Sequence, residues 1–158
     1  MMEVYFSKNA AALRTGEKFA DIIAGVSFDG NTASLRWTLD GEISERIQLT
    51  MEADGIDDLY YPPAFFETQC APYHTYGKAF RRFLLHLLGV IREHNPGRSV
   101  LVAFAVPERE SWRRGMDAYR AFLEEVFRSF DFRFAFVLVP VRTALDQNRV
   151  RNSCRITV

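Results

Sequence analysis

Three observations predict an α/β (α+β) domain: an N-terminal antiparallel meander joined to a C-terminal helix-strand-helix-strand unit in one mixed sheet, with helices packed on it. Apolar residues alternate with period two over positions 22–51, interrupted by Asp29-Gly30-Asn31 and Asp40-Gly41, both strong hairpin signals. A helical pattern follows from Thr75 and is closed by Asn95-Pro96-Gly97, where proline cannot continue a helix and glycine accepts positive φ. Two short apolar runs, Val100 to Val106 and Phe132 to Val141, then flank a second helical pattern. Runs so short and so apolar fit strands covered on both faces.

Taken in order, Val4 to Ser7 reads as a short strand. Lys8 to Arg14, with Ala10-Ala11-Ala12-Leu13, reads as a short helix ended by Gly16. Ile22, Ala24, Val26 and Phe28 form the first dry face of the meander. Leu35, Trp37 and Leu39 form the second, and Ile47, Leu49 and Met51 the third. Positions 52–75 have little regular pattern. They hold an acidic turn from Glu52 to Asp58, a short strand at Leu59-Tyr60-Tyr61 before Pro62-Pro63, and Phe65-Phe66. An irregular stretch of that length points to a functional loop or lid.

Thr75 is the N-cap of the central helix, whose buried side carries Phe80, Phe83, Leu84, Leu87, Leu88 and Ile91. Leu85 falls on the side of Arg81, Arg82 and His86, which predicts a cover there from the 59–66 loop or from another subunit. Met116, Tyr119, Phe122, Leu123, Val126, Phe127 and Phe130 mark the second helix. A strand, helix and strand of these lengths form a βαβ unit, so the two strands run parallel with a right-handed crossover. Pro140 belongs near the end of its strand or on an edge, and Arg151 to Val158 closes the sheet.

The 158 residues read as one domain spanning 1–158, 48% hydrophobic and 14% aromatic, a globular composition. No basic start and apolar run of a signal peptide is seen, and no stretch is long enough to span a bilayer. Two cysteines, Cys70 and Cys154, make no disulfide framework. The expectation is a cytoplasmic protein without a membrane partner. The net charge of zero conceals a split: positions 1–70 carry 12 acidic and 5 basic residues, positions 71–158 carry 8 and 15. Such asymmetry points to an anionic partner for the basic half, or to attraction between the two halves.

Sites in α/β sheets gather beyond the carboxyl ends of parallel strands. That edge would hold Pro107 to Arg114 and Arg142-Thr143. Glu108 or Glu110 is a candidate general base and Ser111 a donor, with Tyr119 the second candidate catalytic residue, and Arg109, Arg113 and Arg142 are candidate anion clamps. The bland reading makes the same stretch an ordinary charged loop, with Ser111 as a helix N-cap and Trp112 packed down. An extended C-terminus would place Arg149, Arg151 and Arg155 on one face with steps of about 7 Å between alternate positions, near the spacing of phosphates on a nucleic-acid strand. Edge-strand arginines also deter strand addition. His74, His86 and His94 are scattered, and Asp54, Asp57 and Asp58 lack a calcium-loop pattern, so no metal is expected.

The element order resembles the GNAT acyltransferase family. Asp58-Leu59-Tyr60-Tyr61-Pro62-Pro63 is similar to the strand before that family's coenzyme A loop, and His74-Thr75-Tyr76-Gly77-Lys78-Ala79 to the loop itself. The resemblance implies acetyl coenzyme A as cofactor, its pyrophosphate cradled by His74, Gly77, Lys78 and Ala79 at a helix N-terminus. Phe127-Arg128-Ser129-Phe130-Asp131-Phe132 is similar to the family's later Tyr-x-x-x-Gly-Phe, with Phe127 in place of its catalytic tyrosine. The order also resembles the ribonuclease H-like fold, in which three antiparallel strands precede alternating helices and strands. Only Glu93 on the central helix, and no acid until Glu108 after it, argues against a two-metal nuclease.

Without a complete catalytic constellation, the sequence points to a binding domain for a protein or an anionic ligand. A coenzyme A-dependent N-acyltransferase with an altered site is the alternative, and nucleic-acid binding through the basic half the second. A second copy of the chain is among the partners open to it.

Overall fold

The computed structural model describes residues 5–6, 20–29, 32–39, 42–50, 75–107 and 110–141. Strands β1 (Tyr5–Phe6), β2 (Ile22–Asp29), β3 (Thr32–Leu39) and β4 (Glu42–Thr50) precede helix α1 (Thr75–His94). Strand β5 (Val100–Pro107), helix α2 (Glu110–Phe130) and strand β6 (Phe134–Val141) follow. All six strands form one mixed sheet in the order β1-β6-β5-β2-β3-β4. The meander β2-β3-β4 is antiparallel, whereas β2, β5 and β6 run parallel. The β5–β6 ladder is unbroken from Val100↔Phe134 to Pro107↔Val141. The parallel pairing expected from two apolar runs around one helix is therefore present.

Both helices cover the same face of the sheet. Alternate residues Ile22, Val26, Val102, Phe104, Phe136 and Leu138 share one buried cluster with Phe80, Leu84, Leu87, Tyr119, Leu123 and Phe127 from the helices. The opposite face buries Leu101, Ala103, Ala135 and Val137 in a second cluster. Burial on both faces explains why β5 and β6 carry no polar alternation. Aromatic contacts join the layers: Phe104 lies 6.0 Å from Phe127 and 6.4 Å from Phe136.

Several boundaries differ from the sequence expectation. Helix α2 begins at Glu110, which puts Ser111 inside the first turn rather than at the cap. Strand β6 begins at Phe134, because Phe132 sits in the turn before it and is 82% exposed. Pro140 pairs with Val106, and among the described residues β1 reaches β6 at Leu138 and Val137, short of the proline. Among the described residues the missing proline N–H therefore costs no β1 ladder bond. Leu85 is half-buried and packs against the main core. The short helix over 8–14, the 52–74 segment and the strand over 151–158 lie outside the described residues.

Candidate ligand site at the carboxyl edge of the sheet

Topology brings both helix N-termini to one edge. Phe80, near the start of α1, lies 5.7 Å from Phe28 at the carboxyl end of β2. His94, at the helix end, lies 5.3 Å from Trp37, which pairs with Ala24 nearer the start of β2. Helix α1 is therefore antiparallel to β2. Helix α2 behaves likewise, since Phe130 near its C-terminus lies 5.1 Å from Phe134, the first residue of β6. The N-termini at Thr75 and Glu110 thus share an edge with the ends of β2, β5 and β6. The end of β4 joins them through Thr32, whose hydroxyl lies 3.5 Å from that of Thr50. Helix N-termini carry partial positive charge and unpaired N–H groups.

At that edge the sheet forks. The β2–β5 ladder stops at Val26↔Phe104, yet β2 stays paired with β3 to Asp29↔Thr32 and β5 stays paired with β6 to Pro107↔Val141. Backbone parity and Pro107 account for part of this divergence. Ile22 N–H donates to Ser99 O (3.1 Å), whereas Val100 N–H donates to Arg133 O (2.8 Å). Odd-numbered residues of β5 therefore face β2 and even-numbered ones face β6. After Ala105, the next donor toward β2 would be residue 107, a proline without an N–H. The two strands also lead their chains in opposite directions, β2 to β3 and β5 through α2 to β6. That makes the fork a topological switch point, where open α/β sheets bind ligands.

On the helix side, the fork is floored by aromatic rings. Phe28 stacks on Phe104 at 6.1 Å, and Phe80 stacks on Tyr119 at 6.2 Å and on Phe122 at 5.8 Å. On the other side lie Ser27 and Ala105, both buried. Gly77, Lys78 and Ala79 fall in the opening turns of α1, already helical in backbone, and Arg113 falls in the first turn of α2. These four predicted positions therefore share the carboxyl edge. Tyr119 lies inside the core, nine residues beyond the start of α2, with its ring against Phe80. Glu108 and Arg109, bracketed by Pro107 and Glu110, lie outside the described residues, as do His74, Arg142, Arg149, Arg151 and Arg155.

The opposite edge carries a different constellation. Asp131 accepts from Arg133 N–H at 2.9 Å and from its guanidinium at 3.0 and 3.2 Å, with Arg92 at 3.5 Å. The Arg133 side chain holds the Asp131 carboxyl below its ordinary value of 3.8. Arg92 also lies 4.4 Å from the Phe130 ring centre. His94 Nδ1 lies 2.8 Å from Val90 O, an arrangement that engages a carbonyl at the C-terminus of α1. These contacts brace helix ends. Among the described residues no group of three or more His, Cys, Asp or Glu side chains is placed to hold a metal ion. Nor is any described helix long and apolar enough to cross a membrane.

Neither the fork nor the Thr32–Thr50 pairing figured in the sequence expectation. Pro107 was the available signal, since a proline closing a central strand must end one of its two ladders. Comparison with family models, with curated proteins and with solved structures finds no match to the chain.

Proposed function

We propose that the chain is a binding domain that takes an anionic ligand at the carboxyl edge, in the fork between β2 and β5. The observation that carries this reading is the fork itself, placed where both helix N-termini end. Partial positive charge from two helices favours an anion there, and Arg113 sits in the first turn of one of them. The ribonuclease H-like resemblance is the better supported of the two, because β5 returns beside β2, the first strand of the meander.

A coenzyme A-dependent N-acyltransferase remains the second reading, supported by Gly77, Lys78 and Ala79 in the opening turns of α1. Against it, β2 and β6 take both edges of β5. No edge is left there for the strand that the acyltransferase resemblance puts before its cofactor loop.

Thermal melts with acetyl coenzyme A, with inorganic phosphate and with oligonucleotides separate these readings. A ligand at 100 times its dissociation constant stabilises the folded state by about 2.7 kcal/mol. A shift with phosphate and with acetyl coenzyme A alike supports anion recognition, whereas a shift with acetyl coenzyme A alone supports the acyltransferase. Binding of oligonucleotides that falls steeply with salt would move the site to the basic C-terminal arginines. No shift with any anion removes the proposal.

A further inference from the structure

The face of α1 opposite Leu84, Leu87 and Ile91 carries a straight seam. Arg82, His86, Gly89 and Glu93 recur at steps of four, three and four residues, so they fall within about 60° of the helix circumference. Leu85 and Val90 flank the seam, each half-buried. Gly89 sits in its middle and, its own helix turn aside, nothing lies within 4 Å of where a Cβ would stand. Arg82 and Glu93 are exposed, and among the described residues neither side chain has an ion-pair or hydrogen-bond partner. The other arginines beside the seam are engaged: Arg81 pairs with Glu125 at 3.1 Å and Arg92 with Asp131 at 3.5 Å.

The seam is self-complementary in one register. An antiparallel copy centred between Leu87 and Leu88 sets Arg82 of each chain level with Glu93 of the other, so the two free charges at the seam's ends meet their opposites twice. The same register brings Leu85 of each copy onto Gly89 of the other, where no side chain stands in the way. Val90 then meets His86 of the other copy, and the two His86 rings lie side by side near the axis. Zero net charge removes the electrostatic obstacle to self-association.

From this register we propose that a second copy of the chain docks antiparallel on the outer face of α1, joined by two Arg82–Glu93 pairs and by Leu85 seated on Gly89. The contact is isologous and closed, so it yields a dimer and no longer assembly. A single helix pair buries less surface than a permanent dimer needs, which makes the dimer reversible and weaker at high salt. The seam starts beyond the opening turns of α1 that border the fork, so the dimer and the ligand site stand or fall separately.

Sedimentation velocity on the full chain at low salt, from about 1 to about 300 μM, tests this. The wild type is expected to pass from monomer to dimer across the series. Arg82→Glu and Glu93→Arg should each weaken the dimer ~10-fold, because each turns two attractions into two repulsions. Combining them exchanges the charges and should restore it. Gly89→Gln, a better helix former at an open position, should keep or raise the melt of the dilute monomer while weakening the dimer ~10-fold, which separates docking from folding. A wild type that stays monomeric at the top concentration overturns the proposal. So does a charge exchange that fails to restore the dimer, a dimer that Gly89→Gln leaves at full strength, or an assembly that grows beyond two copies.

Discussion

Replacing Asp131 with alanine should destabilise the fold by about 2–3 kcal/mol. The figure comes from the contacts the carboxylate makes. Its bond from Arg133 N–H, at 2.9 Å with the carboxylate 7% exposed, is a backbone bond to a charged acceptor worth about 1.5–3 kcal/mol. The Arg133 and Arg92 guanidiniums are 36% and 44% exposed, so solvent screening leaves their ion pairs at about 0–1 kcal/mol together. Asp131→Asn keeps an acceptor for the Arg133 N–H and loses mainly the charge, which predicts a loss of about 1 kcal/mol. Urea unfolding of both variants measures the difference, and the alanine variant should melt about 5–10 °C lower. The effect is pH-dependent. Because the folded value is depressed below 3.8, the stabilisation is complete above that value and is lost as pH falls through the lower folded one. Alanine and wild type of equal stability at neutral pH would refute the brace.

Two glycines should respond with opposite signs to the same substitution. Gly89, mid-helix in α1 with open space where a Cβ would stand, should gain about 0.5–1 kcal/mol as alanine, whereas Gly97, held at φ +75, should lose about 1 kcal/mol. Chemical denaturation of the pair checks this, and a gain at Gly97 would contradict the observed turn. Phe104→Ala, which removes a fully buried ring touching Phe28, Phe127 and Phe136, should cost about 3–5 kcal/mol. A loss below 1 kcal/mol in the same assay would mean that the two layers do not meet at β5.

Periodicity carried most of the architecture because it reports burial directly. The apolar run over 100–106 could be read as a doubly covered strand, and the Phe80-to-Ile91 spacing as a helix face, since each pattern follows from which side chains leave water. Phe132 was misplaced for the same reason. Its hydrophobicity extended the strand by two residues, while the Asp131–Arg133 bonds that force a turn depend on geometry no pattern displays. Strand order was also hidden: whether β5 lies beside β2 or elsewhere is decided by packing between elements distant in sequence. Arg113 came from a general rule about strand ends and Gly77, Lys78 and Ala79 from the acyltransferase resemblance, and topology brought all four to one edge. The spacing that set Tyr119 on the apolar stripe of the second helix already pointed to the core, where its ring lies against Phe80.

Amide chemical-shift mapping during titration with inorganic phosphate and acetyl coenzyme A probes the fork most directly. The predicted response is concentrated at Phe28, Asp29, the opening turns over 75–79 and 110–113, and the end of β5. Pro107→Ala, which restores the N–H that would let β5 bond β2 once more, should weaken it. Shifts confined to positions 149–155, or binding unaffected by closing the fork, would contradict the account.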